Sequence, residues 1–287
     1  MKWREETNCG CKVNLRLKVT GKRADGLHEL SSCFIYLPCP GDKLSVTEHN
    51  APLTLSCPGF PELENQHNLL WKAAMLFAEK SRIVPSWHIM LEKRVPMAAG
   101  LGGGSADAGA LLAMLNRRYQ SLSDNELNET AFALGADVPF FLHRQPAWVT
   151  GAGEKIEYLE NLTELPEILI VYPAFPVSAK WAYTHLDKAV IGAEDKDIKA
   201  AFLNGSVQWN EFCRNDLAPA VVKKFPLITV LMEFLKNSGA AAVQMSGSGP
   251  SVFALFARGK AAKAAAAVRN EFSSMAGLRI FAEGDEF

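Results

Sequence analysis

From Cys11 to Val19 the chain alternates: Val13, Leu15, Leu17 and Val19 face one way, Lys12, Asn14, Arg16 and Lys18 the other. A period of two marks a strand with one face on a core and the other toward water. The spacing predicts a half-buried strand over 11–19, a turn at Asp25-Gly26 and a return strand over 33–37. Further short strands are expected over 43–48 and 53–57, separated by proline and glycine. The period then lengthens. Residues 68–80 read as a helix, 87–93 as a strand and 105–119 as an alanine- and leucine-rich helix. Ser123 and Glu126 form a capping box for another helix, which stops before Gly135.

Beyond residue 150 the same mixture continues. A buried strand is expected over 165–172, ended by Pro173, and a helix over 178–187. The polar segment 192–205 reads as a loop with a short helix, and 230–237 as a helix ending near Gly239. Strands over 241–245 and 252–256 bracket a second glycine turn. Residues 260–272 carry alanine at six positions, which makes a helix, and 279–282 suit a last edge strand. No internal repeat is visible. This strand–helix mixture, strand-rich at the front, predicts an α+β chain in two lobes.

Composition narrows the classes. The 287 residues suffice for two modest domains or one large one. A net charge of −1 gives no basic surplus for nucleic acid. No apolar run approaches the ~20 residues that span a bilayer, and the opening MKWREETN lacks the apolar core of a secretory signal. A cytoplasmic protein without membrane or nucleic-acid partners is expected. Cys9-Gly-Cys11 lacks both the spacing and the second pair of a zinc site, so free, mostly buried thiols are expected and no metal ligands.

Chemistry concentrates in three segments. Gly100-Leu-Gly-Gly-Gly-Ser105 lies between a strand and a helix. Glycines let backbone approach a bulky anion, and the helix behind them aims its N–H groups and positive dipole end at it. A triphosphate fits; a flexible linker is the plain alternative. The loop is neither a Walker sequence, since no G-x-x-x-x-G-K-[ST] occurs, nor a dinucleotide fingerprint, since Ser105 stands where glycine is needed. Asp137 lies in the apolar stretch LGADVPFFL, where a carboxylate needs a partner. It is either a structural ion pair or a catalytic acid or base. Paired with Lys12 near a phosphate loop it would accept a hydroxyl proton while the lysine steadies negative charge. The third segment, Met245-Ser-Gly-Ser-Gly-Pro250, is a hairpin turn in isolation, but beside a nucleotide site it would bring backbone N–H groups near substrate or phosphate loop.

In order and spacing these segments resemble the GHMP kinases, a superfamily of small-molecule kinases. Within it the match is to the branch acting on 4-diphosphocytidyl-2-C-methyl-D-erythritol in the non-mevalonate isoprenoid (terpenoid) pathway. That branch's opening, PAKINLxLxVxGKRxDGYHEL, appears as GCKVNLRLKVTGKRADGLHEL over 10–30, and its ATP loop, PxGAGLGGGSSDAA, as PMAAGLGGGSADAG over 96–109. LGADVPFFL is matched outright, and MSGSGPTVFAL appears as MSGSGPSVFAL over 245–255. VTGAGEKIEYL and YPAFPVSAKWAY resemble connecting segments, so the likeness covers nearly the whole chain.

The resemblance implies an α+β, two-lobed fold: an N-terminal ribosomal-S5-domain-2-like ATP-binding lobe over 1–155 and a C-terminal ferredoxin-like substrate lobe over 156–287. It implies an ATP-dependent phosphotransferase that phosphorylates the substrate's 2-hydroxyl and uses Mg2+ with ATP, working as a monomer or weak homodimer. Lys12 and Asp137 take the catalytic positions. Pro96, Met97, Ala98, Ala99, Gly100, Leu101, Gly102, Gly103, Gly104, Ser105 and Ala106 take those of the ATP loop. His28 would read the cytosine, Tyr183 would stack on it, and Asn14 would help position the substrate.

Several residues depart from the pattern. Cys11 replaces an alanine and Ala179 a threonine. Leu27 replaces the tyrosine before the histidine, removing one face of an aromatic sandwich worth roughly 1–3 kcal/mol. Ala98 and Ala106 replace a glycine and a serine, leaving Ser105 to meet phosphate alone. Two rivals stand beside this reading. One is a GHMP kinase for another alcohol, against which GKRxDGxHEL argues. The other is a non-catalytic nucleotide sensor, which would be expected to have lost the lysine or the aspartate.

Overall fold

The computed structural model describes residues 3–160, 162, 164–192 and 197–282. The chain begins with β1 (Arg4–Lys22), β2 (His28–Glu48), β3 (Thr54–Ser56), α1 (Leu69–Ser81) and β4 (Trp87–Glu92). It continues through α2 (Gly103–Tyr119), α3 (Asp124–Leu134), β5 (Ala147–Gly151), β6 (Lys155–Tyr158) and β7 (Glu167–Tyr172). Then come α4 (Ala179–Thr184), α5 (Ile198–Leu203), α6 (Trp209–Phe212), β8 (Arg214–Asn215) and α7 (Ala218–Lys224). The last are α8 (Leu227–Asn237), β9 (Ala242–Met245), β10 (Val252–Phe256), α9 (Ala261–Glu271) and β11 (Arg279–Ala282). The architecture is α+β, in two compact units. One holds residues up to Cys11, 36–96 and 102–145; the other holds 12–35, 97–101 and the described residues from 146 onward.

In the first unit β3 runs parallel to β4, and β4 pairs antiparallel with the second half of β2, from Lys43↔Glu92 to Glu48↔Trp87. Helices α1, α2 and α3 pack on one another. Their buried side chains include Leu70, Phe77, Leu111 and Leu115, while β4 buries Trp87, Ile89 and Leu91. Trp87 satisfies its indole N–H by donating to the Tyr119 hydroxyl (2.9 Å), which donates to Glu48 Oε1 (2.5 Å). The capping box at Ser123 forms as the sequence predicts, with Ser123 and Glu126 each serving the other's backbone N–H.

In the second unit the first half of β2 pairs with β5, β5 with β6, and β1 runs parallel to β8 at Arg16↔Arg214 and Leu17↔Asn215. An antiparallel sheet, ordered β11-β7-β10-β9, carries α8 and α9 against it. Ile228, Leu231 and Leu235 make one buried stripe of α8 and join a core with Leu169, Val171, Val252, Ala254 and Phe256. The expected edge strand 279–282 is β11, at the end of this sheet.

Two expectations change. Strand 11–19 is not half-wet: Lys12, Asn14, Arg16 and Lys18 are as buried as the valines opposite, with exposures of 4%, 1%, 6% and 8%. The separate strands over 33–37 and 43–48 are one strand, β2, which runs through Pro38, Pro40 and Gly41. The segments forming β5, β6 and α7 carried no expectation. Within the expected loop 192–205, α5 supplies the short helix, and 193–196 lie outside the described residues. All six thiols are free, and Cys9, Cys11, Cys33, Cys57 and Cys213 are buried.

Candidate active site

The polar face of β1 is buried because it is a wired network in the second unit. Lys12 Nζ donates to Asn14 Oδ1 (2.6 Å) and lies 4.7 Å from the Phe34 ring centroid. Asn14 Nδ2 donates to Ser32 Oγ (3.0 Å), and that hydroxyl donates to the Arg16 carbonyl (2.5 Å). Further along β1, Arg16 Nη1 donates to the Phe212 carbonyl (2.9 Å) and Lys18 pairs with Asp216 (3.4 Å). A buried ammonium is tolerable only with such partners.

Residues 97–101 of the glycine loop lie on this network. The Lys12 N–H donates to the Leu101 carbonyl (2.9 Å). Ser246 Oγ accepts from the Asn14 N–H (3.4 Å) and donates to the Gly100 carbonyl (3.0 Å). The Ser251 and Val177 N–H groups donate to the carbonyls of Ala99 (3.2 Å) and Ala98 (3.1 Å). Gly100 has φ +76°, and a Cβ there would sit 2.2 Å from the Ser246 carbonyl oxygen, so only glycine lets the two turns meet. At Gly247 (φ +54°) a Cβ would lie 2.9 Å from the Gly100 oxygen and 3.4 Å from Lys12 Nζ. The second glycine turn thus serves the first. Asn215 holds it from behind, donating to the carbonyls of Met245 (2.8 Å) and Gly247 (2.7 Å). Ala98, which stands where the family pattern has glycine, adopts φ +50° and carries that strain itself.

In the first unit the loop's second part becomes the start of α2. Gly102 (φ +72°) is its N-cap, no side chain caps the helix, and a Cβ on Gly104 would meet nothing within 4 Å. That leaves room for a bulky anion against backbone amides and the dipole's positive end, so these residues fit a triphosphate. Asp137 is half-buried in the turn between α3 and the short 3-10 turn Pro139–Leu142, whose Phe140 and Phe141 are buried. Gly109 brings α2 against this turn: a Cβ there would be 2.9 Å from the Val138 carbonyl oxygen. Among the described residues no group of three or more His, Cys, Asp or Glu side chains is disposed to hold a metal ion.

His28 and Tyr183, expected at a cytosine, lie face to face in the second unit, ring centroids 5.2 Å apart and planes 25° off parallel. Burial and, secondarily, the charge of Lys22 hold the His28 pKa below its ordinary value, so the ring is neutral at neutral pH. Neutral imidazole offers one donor and one acceptor. Leu27 is 48% exposed beside it. Ser178 caps α4 by accepting from the Trp181 N–H (3.3 Å) and so fixes the helix that carries Tyr183.

The structure therefore brings Lys12, Asn14 and Gly100 together and sets His28 on Tyr183. Sequence reasoning missed Ser32, Ser246 as a side chain, and Asn215. For Asn215 the signal was available: Arg214-Asn215-Asp216 is a polar run between buried Phe212 and Leu217.

Comparison with known proteins places the chain in a family. The GHMP kinases N terminal domain matches residues 68–145, and the GHMP kinases C terminal model matches 208–274. The 4-diphosphocytidyl-2-C-methyl-D-erythritol kinase of Syntrophotalea carbinolica is 37% identical over 275 residues, covering 94% of this chain and 95% of that protein. Its counterpart in Nitratidesulfovibrio vulgaris is 40% identical over 266 residues, covering 89% and 91%. A crystal structure of 4-(cytidine 5'-diphospho)-2C-methyl-D-erythritol kinase superposes with TM-score 0.80 at 30% identity, over 97% of this chain and 98% of that one. Homoserine kinase from Cytophaga hutchinsonii shares the fold, with TM-score 0.78 at 18% identity, over 98% and 95% of the two chains. No helix among the described residues is long and apolar enough to cross a membrane. The chain belongs to the GHMP kinases and, within them, to the 4-diphosphocytidyl-2-C-methyl-D-erythritol kinases.

Proposed function

We propose that this chain transfers the ATP γ-phosphoryl group to the 2-hydroxyl of 4-diphosphocytidyl-2-C-methyl-D-erythritol, releasing ADP, in cytoplasmic isoprenoid synthesis. Kinship along almost the whole chain to kinases named for that substrate carries the reading. The six free thiols suit a reducing compartment.

The alcohol oxygen attacks the γ-phosphorus as the bridge to the β-phosphate breaks. Asp137 accepts the hydroxyl proton, and Lys12 steadies the charge on the phosphoryl group in flight. Lys12 is ready for that task because Asn14 holds its ammonium in a fixed direction beside Gly247. Gly102–Ser105 offer backbone amides to the phosphates before the Ala106 N–H closes the first helical bond to the Gly102 carbonyl, and Ser105 adds the one hydroxyl at the helix start. Mg2+ would enter with ATP and neutralise triphosphate charge, and the Ser105 hydroxyl at the helix start would be the side chain to meet it.

His28 offers its neutral donor and acceptor to the cytosine edge while Tyr183 supplies a stacking face. Leu27 leaves the base only one aromatic neighbour, so binding relies more on the histidine. The test is Asp137→Asn. It should bind ATP and the cytidyl alcohol normally while kcat falls about 10²- to 10⁴-fold, the usual worth of a positioned base. Near-normal turnover would remove Asp137 from that role.

A further inference from the structure

A second buried charge cluster lies in the first unit, outside the machinery above. Asp42 of β2, Lys93 just after β4 and Asp107 of α2 have side-chain exposures of 0%, 6% and 3%. Lys93 Nζ donates to Asp42 Oδ2 and, at 3.1 Å, to Asp107 Oδ2. Asp42 Oδ1 also accepts the N–H groups of Arg94 (2.5 Å) and Val95 (2.8 Å), so both its oxygens are engaged. Asp107 is treated differently. Its Oδ2 has the lysine, and its Oδ1 is shielded from water with no hydrogen-bond partner.

The cluster's position makes its net charge matter. A Cβ on Gly103, the first residue of α2, would lie 3.5 Å from Lys93 Nζ, so the ammonium is directly behind the helix start. Two ionised carboxylates around one ammonium would leave a buried negative charge there. That charge would be drawn to the positive end of the helix dipole and would cancel the potential this end offers a phosphate. An oxygen without a partner is also far cheaper to bury on a neutral acid than on a carboxylate.

We propose that Asp107 is a positioning residue of the ATP site that works as a neutral carboxylic acid, tying α2 to Lys93 without placing net negative charge behind the phosphate-binding helix start. This rests on the assignment of Gly102–Ser105 to the triphosphate. The surroundings agree. Burial, and then the negative charge of Asp42, raise the Asp107 pKa well above its ordinary value, against the pull of Lys93. Burial opposes the charge on Lys93, but its hydrogen bonds to Asp107 and Asp42 and the negative charge of Asp42 keep the ammonium. The other titratable groups that interact with the cluster are the thiols Cys9, which also faces Arg144, and Cys57, which also faces Glu64. Burial raises both thiols, Cys57 to about 11, so they stay neutral at neutral pH.

The experiment compares wild type, Asp107→Asn and Asp107→Leu by infrared difference spectroscopy and by calorimetric titration with a non-hydrolysable Mg-ATP analogue. Wild type minus Asp107→Asn should show the carbonyl stretch of a protonated acid at pH 7. Asp107→Asn, neutral and able to accept from Lys93, should bind the analogue within about two-fold of wild type. Asp107→Leu should bind it about ten-fold more weakly, the scale of a lost charge-assisted hydrogen bond. A carboxylate band instead, or weakening in Asp107→Asn to match Asp107→Leu, overturns the proposal. Failure of wild type to bind the analogue would overturn the nucleotide assignment beneath it. The infrared band is read without any nucleotide, so the two failures are distinguishable.

Discussion

The polar face of β1 and the Asp42–Lys93–Asp107 cluster are equally dry, yet their hydrogen bonds are distributed in opposite ways. On β1 the chain from Lys12 through Asn14 and Ser32 to the Arg16 carbonyl is continuous, and each link hands on to the next. In the other cluster Asp42 takes three N–H donors while Asp107 keeps one oxygen bare. A completed network holds a charge in one direction, which is what a group facing a reacting phosphoryl needs. A network one bond short selects which member carries charge. Burial alone therefore says little about a polar residue's task; its partners do.

The largest effect should come from breaking the second cluster at its only cation. Lys93→Met leaves the Asp42 carboxylate buried without its cation and should cost about 3–5 kcal/mol, the usual penalty for half a buried ion pair. Chemical denaturation would measure it, and a loss below about 1 kcal/mol would mean the cluster is wetter than its exposure implies. Breaking the first network is milder. Asn14→Ala takes away a bond from both Lys12 and Ser32 and should cost about 1–3 kcal/mol of stability. It should lower kcat more than it raises the KM for ATP, and an unchanged kcat would detach Asn14 from Lys12's orientation.

Asp107 sharpens the contrast through pH. In the unfolded chain it sheds its proton near 3.8; in the native chain it holds it to higher pH. Native stability therefore falls as pH rises through that interval, by roughly 1.4 kcal/mol per unit of difference. Asp107→Asn should remove this fall, so its melting temperature gains on wild type between pH 4 and the native pKa. Parallel curves would show the group ionised in both states. The smallest expected effect lies in the loop seated on the first network. Ala98→Gly should stabilise by about 1 kcal/mol by relieving the left-handed backbone. A destabilised variant would mean that the alanine methyl packs for more than its strain costs.

Much of this was legible in the chain. Periodicity placed β1, β4, α2 and α9, and the capping box at Ser123 formed as read. The glycine segments marked the two turns that meet at Gly100 and Gly247. What failed did so for tertiary reasons. Alternation gives a strand two faces but cannot say that both are covered, so Lys12 and Asn14 read as wet. Pro38 and Pro40 read as breaks, but β2 runs on through them, paired with β5 before them at Leu30–Phe34 and with β4 after them at Lys43–Glu48. Helix α7 was hidden by Pro219, which sits in its first turn, where no N–H is needed. Asp42, Lys93 and Asp107 are 51 and 14 residues apart along the chain, and only the fold makes them one cluster.

The central claim is the reaction, and ADP release tests it most directly. The purified chain would be mixed with Mg-ATP and 4-diphosphocytidyl-2-C-methyl-D-erythritol, with mevalonate and galactose in parallel, and the product located by phosphorus NMR. ADP formed with the cytidyl alcohol alone, with the new phosphate on the 2-hydroxyl, is the predicted result. ADP formed with mevalonate or galactose instead, or none with the cytidyl alcohol while ATP still binds, would contradict it.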